Sequence, residues 1–89
     1  MKAIVSVFAR DNKGIIAYVS SLLAERGINI LDISQTLMQG FFTMIMVVDL
    51  EECTVSFDEL RRMLQERGRE RELDIHIQRQ DIFDAMHRI

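Results

Sequence analysis

Between Ile28 and Leu50 the chain runs INILDISQTLMQGFFTMIMVVDL, two stretches of strand formers with only Gln39-Gly40 between them. A break that short closes the two as an antiparallel hairpin. Everything on either side must then pair with this hairpin or pack upon it. Upstream, Ile15, Val19, Leu22 and Leu23 recur at helical spacing. Asp11 or Asn12 is available to cap that helix, and Gly27 stands where a left-handed stop belongs. Before it, Lys2 to Ala9 is short and rich in β-branched residues, as a strand is. Downstream, Ser56 and Glu59 have capping-box spacing, and Phe57, Leu60 and Leu64 form one apolar stripe. This second helix is expected to fray within the charged run Gln65 to Glu72. Leu73 to Gln78 then alternates apolar and polar as a fourth strand.

The order β-α-β-β-α-β belongs to the α+β class. Two crossover units joined by a hairpin give the ferredoxin-like sandwich, a four-stranded antiparallel sheet with both helices on one face. A short C-terminal helix follows, with Ile82, Phe83, Met86 and Ile89 on one side. The strand phases point Val5, Val7, Met44, Met46, Ile75 and Ile77 at the helices, and Ile4, Phe8, Ile45 and Val47 away from them. The far face is therefore expected to be apolar, to be covered by the tail or by a second subunit. In the second strand Ile28 and Ile30 share one face and Leu31 and Ile33 the other, which leaves room for a bulge.

Function classes narrow by exclusion. A net charge of −3 disfavours broad phosphate binding, so no nucleic acid is expected. Cys53 is the single cysteine, which removes an intrachain disulfide and a cysteine-rich zinc site. His76 and His87 have no neighbouring Cys or His, and no metal or other cofactor is expected. Without an apolar run of about 18 residues or a leader-like start, the chain reads as cytoplasmic, with no membrane partner. The adjacent Phe41 and Phe42 would point to opposite faces, and the basic surface that RNA stacking needs is missing. The mixed signs from Arg61 to Glu72 read as a solvated helix face.

The loop before the first helix is the candidate site. Backbone N–H groups at a helix start lack internal partners and attract a carboxylate, and Gly14 leaves them accessible. Asn29 opens the strand that follows the helix, so within one chain it should lie at the opposite end from Gly14. A shared site needs a neighbouring subunit or a groove running along helix and strand.

The ordered set Asp11, Gly14, Ile15, then Leu23 to Ile30 (LAERGINI), then Asp32 to Gln35 (DISQ) resembles the signature of ACT domains, small ligand-binding regulatory modules. It is similar to small stand-alone ACT proteins and to the ACT repeats of the glycine-cleavage transcriptional repressor. The resemblance implies an ACT domain over residues 1–80 and a helical tail over 81–89. It also implies side-by-side pairing into a homodimer, often as an eight-stranded sheet, with an amino acid held between subunits. Asp11, Asn12, Gly14 and Ile15 would then form one wall, and Asn29 and Ile30 of the second subunit the other. No catalysis is implied, and regulation would pass to an enzyme or a transcription factor.

Some amino-acid-binding members have proline before the glycine and a neutral polar residue two places earlier; Lys13 and Asp11 stand there in this chain. Asp11 would repel a carboxylate and could hold an ammonium group. Two alternatives share the layout. One is an oligomerisation or adaptor module without a ligand. The other is an acylphosphatase-like hydrolase using Arg10 and Asn29, although the glycine-rich phosphate loop that activity needs is absent from FARDNKG.

Overall fold

The computed structural model describes residues 1–10 and 13–81. Its elements are β1 (Lys2–Ala9), α1 (Ile15–Ala24), β2 (Asn29–Met38), β3 (Phe41–Asp49), α2 (Phe57–Glu70) and β4 (Asp74–Arg79). The strands form one antiparallel sheet in the order β2-β3-β1-β4. This is the expected ferredoxin-like arrangement. The expected tail stripe Ile82, Phe83, Met86 and Ile89 lies outside the described residues.

Register explains the core. One row across the sheet joins Ile77, Val5, Met46 and Ile33, and the next joins Ile75, Val7, Met44 and Gln35. The members on β4, β1 and β3 are buried beneath Val19, Leu23, Leu60 and Leu64 of the helices. Each row ends exposed on β2. Met46 is fully buried, whereas its cross-strand partner Ile33 is 38% exposed; Phe42 is 2% exposed and its partner Leu37 60%. The predicted inward set is therefore inward on three strands. On β2 a register shift between Ile30 and Asp32 makes Leu31 the extra residue. The bulge reconciles the two apolar pairs, since Ile30 and Ile33 both fall opposite inward residues of β3.

The far face is apolar only along its middle strands. Phe8 and Ile45 are exposed there and Ile4 is buried, while Asp32 and Ser34 on β2 and His76 and Gln78 on β4 make both margins polar.

The helix ends differ in chemistry. Ser56 caps α2 as its spacing predicts, its hydroxyl accepting from the Glu59 N–H at 3.2 Å. The capping position of α1 is Gly14 rather than Asp11 or Asn12, with φ at 71°. A chain entering a helix through the left-handed region favours a residue without Cβ over an ordinary polar cap. Gly27 is the left-handed stop that was expected. Its φ is 73°, and a Cβ there would lie 2.5 Å from the Glu52 carbonyl oxygen. The Thr54 N–H donates to the Arg26 carbonyl at 3.0 Å, fixing the start of β2 against the loop after β3.

Candidate functional site

Gly14 and Asn29 lie at opposite ends of the sheet. Asn29 pairs with Asp49, and Asp49 with Lys2, at the start of β1. Gly14 follows the other end, where Ala9 pairs with Phe42. The eight residues of β1 separate these ends, about 23 Å at the usual strand rise. Arg10 and Asn29 are separated in the same way, so one chain does not assemble the pair that an acylphosphatase-like site would need.

At the Gly14 end the geometry suits an acceptor. The Gly14 carbonyl takes the Tyr18 N–H at 3.0 Å, so the earlier N–H groups, beginning with that of Ile15, are the first-turn donors of α1. Gly14 offers no side chain to receive them, and a Cβ built on it meets nothing within 4 Å. No acidic residue occupies the first turn, so the partial positive charge of the helix start is unmatched within α1. Ile15 is buried in the core and anchors the turn. Asp11 and Asn12 lie outside the described residues. At the other end Asn29 is exposed, and Ile30 packs half-buried against the core. Of the expected set, the fold brings Gly14 and Ile15 together, and separately Asn29 and Ile30.

A second group of residues gathers at the Gly14 end, one that sequence reading set aside. Arg10 follows β1, Arg69 stands in the last turn of α2, and Arg71 opens the turn that joins α2 to β4. With Phe8 and Phe41 they line a cleft of about 700 Å³. The turn is tightly closed. The Leu73 N–H donates to the Gly68 carbonyl at 2.8 Å and the Glu72 N–H to the Arg69 carbonyl at 3.1 Å. A Cβ on Gly68 would lie 2.8 Å from the Leu73 carbonyl oxygen, which explains a glycine inside an otherwise strong helix former. The Arg71 guanidinium stacks on the Tyr18 ring, 4.2 Å from its centroid, and the Tyr18 hydroxyl donates to the Arg67 carbonyl at 3.1 Å. The signal available in the sequence was the triplet of arginines at positions 67, 69 and 71 beside a glycine. Only the fold brings Arg10 and the two phenylalanines to them.

Among the described residues no helix is long and apolar enough to cross a membrane. The sequence matches the ACT domain family over residues 2–78. A UPF0237 protein of Clostridium acetobutylicum is 54% identical over 89 residues, covering 100% of both chains. An ACT domain protein from Streptococcus pneumoniae superimposes with a TM-score of 0.85 at 43% identity, over 94% of each chain. A candidate glycine cleavage system transcriptional repressor shares the fold, with a TM-score of 0.71 at 20% identity over 86% of this chain and 44% of that one. With the family signature spanning the sheet and both helices, and the likeness carried through sequence and structure alike, the chain belongs to the ACT domain family.

Proposed function

We propose that this chain is a non-catalytic regulatory module of the cytoplasm that holds an amino acid between two copies of itself and passes its state to a regulated enzyme or transcription factor. The observation that carries the reading is β2. It is a ten-residue edge strand with Leu31, Ile33, Leu37 and Met38 all exposed and Asp32 as its single charge. Monomeric proteins blunt such edges with charge, proline or brevity, and a long apolar edge invites another strand.

Antiparallel pairing of β2 with a second β2 also meets the separation of Gly14 from Asn29. Met38 pairs with Phe41, next to the Phe42–Ala9 pair, so the Met38 end of β2 is the Gly14 end of the sheet. A two-fold axis through paired β2 strands would carry the second copy's Asn29 to that end. The first-turn N–H groups of α1 would take the ligand carboxylate, and the Asn29 amide of the second copy would take its remaining polar atoms. The ligand would shift the pairing only by its different affinity for the two arrangements.

The test is a thermal-shift screen of the twenty amino acids on wild type and Asn29→Ala, with light scattering beside it. A dimer stabilised by one or a few amino acids, with the shift lost in Asn29→Ala, is the expected result. A dimer that no amino acid stabilises at millimolar concentration would replace this reading with the ligand-free adaptor, for which the same edge is sufficient. A monomer would overturn both.

A further inference from the structure

We infer that the cleft between β1, the start of β3 and the α2–β4 turn is a binding site for a small organic anion with a flat ring, the chemistry of a nucleoside monophosphate. It rests on the cleft alone and not on the pairing of two copies.

The first argument is charge. The chain is acidic overall, with 11 Lys and Arg against 14 Asp and Glu, yet Arg10, Arg69 and Arg71 converge on this one cavity. The side chains of Arg10 and Arg69 make no ion pair or hydrogen bond among the described residues. Arg71 is stacked on Tyr18, which holds its plane while leaving its in-plane N–H donors available. Guanidinium groups in this state are suited to the paired oxygens of a phosphate or carboxylate.

The acidic groups at the cleft do not cancel this. Asp74 is engaged with His76, its Oδ1 2.8 Å from Nε2. Glu72, in the turn at φ 58°, lines the cleft too and sets one further carboxylate against the three guanidinium groups. A carboxylate there is an acceptor for sugar hydroxyls, which a bare anion does not possess.

The second argument is the apolar wall. Phe8 and Phe41 are both exposed, and both line the cavity that the arginines line. Exposed rings beside unpaired guanidinium groups give a planar ligand a stacking surface and its anion a counter-charge. The volume of about 700 Å³ falls in the ordinary range of small-molecule sites.

The test is titration of the isotopically labelled full chain with AMP, followed by backbone amide shifts, with inorganic phosphate and adenosine as separate arms. Saturable shifts are expected at Arg10, Phe41 and Arg69 to Asp74, with AMP binding at least about tenfold more tightly than either fragment. Arg69→Ala should weaken AMP at least about tenfold, and Phe41→Ala several-fold, without loss of the folded spectrum, since both side chains are exposed. Three results would overturn the proposal. They are no saturable shift at millimolar AMP, shifts centred elsewhere on the chain, or affinity for AMP unchanged in both variants.

Discussion

The sheet has two edges, and they are built on opposite rules. β4 turns Ile75 and Ile77 into the core and alternates them with Asp74, His76 and Gln78, so its outward side is polar and its inward side is dry. β2 is longer, carries a bulge at Leu31, and leaves its inward residues Ile33 and Leu37 exposed. The difference comes from what lies above each strand. α2 packs against β4 through Leu60, Leu64 and Gly68, while the rows through Met46, Met44 and Phe42 of β3 end exposed on β2 at Ile33, Gln35 and Leu37. Of the two edges, the unfinished one is where the proposed pairing would seat a second copy.

The strongest way to break that comparison is across one row. Met46→Ala should cost 2–5 kcal/mol in urea unfolding, the usual range for emptying a core site. Ile33→Ala, its cross-strand partner, should change the stability of the isolated protomer by less than about 0.5 kcal/mol, yet weaken self-association. A large loss for Ile33→Ala that does not vary with protein concentration would mean that β2 is finished within one chain.

Charge placed on each edge sharpens the contrast. Ile33→Glu with Leu37→Glu should raise the dissociation constant of the dimer at least about 100-fold, roughly 2.7 kcal/mol, as followed by sedimentation equilibrium. His76→Glu with Gln78→Glu on β4 should leave it unchanged. The reverse pattern would move the interface to the other edge.

Two glycines at the ends of α1 give a smaller contrast. Gly27→Ala forces a Cβ against the Glu52 carbonyl oxygen and should unfold the chain at lower urea than any cap substitution. Gly14→Ala has open space around it and should cost only the left-handed backbone strain, about 1–2 kcal/mol. Its effect should instead fall on amino-acid binding, read as a reduced thermal shift. Ser56→Ala should cost about 1 kcal/mol from the lost cap, with no change at either edge.

Much of this fold was legible before any coordinates. Gln39-Gly40 placed the hairpin, the spacing of Ser56 and Glu59 placed a helix start, and alternation set the inward residues of three strands. β2 resisted because its pattern changes face at Leu31, and a period of two cannot be read through a bulge. The separation of Gly14 from Asn29 followed from chain order alone. What brings Arg10 to Arg69 and Arg71 is contact between segments some sixty residues apart in the sequence. No local pattern encodes that, and the charged run looked like solvated surface. The cap of α1 was misplaced for a related reason. Asp11 and Asn12 carry the side chains a polar cap uses, while the backbone enters the helix through the left-handed region at Gly14.

The central claim is that two β2 strands pair and so join Gly14 of one copy to Asn29 of another. An isotope-filtered NMR experiment on a mixture of labelled and unlabelled chains reads this directly, because it detects only contacts between different copies. The account predicts cross-copy contacts along Ile33 to Met38, and contacts from Asn29 of one copy to the Gly14 turn of the other. Cross-copy contacts confined to β4, or none at concentrations where the protein is fully dimeric by sedimentation, would contradict it.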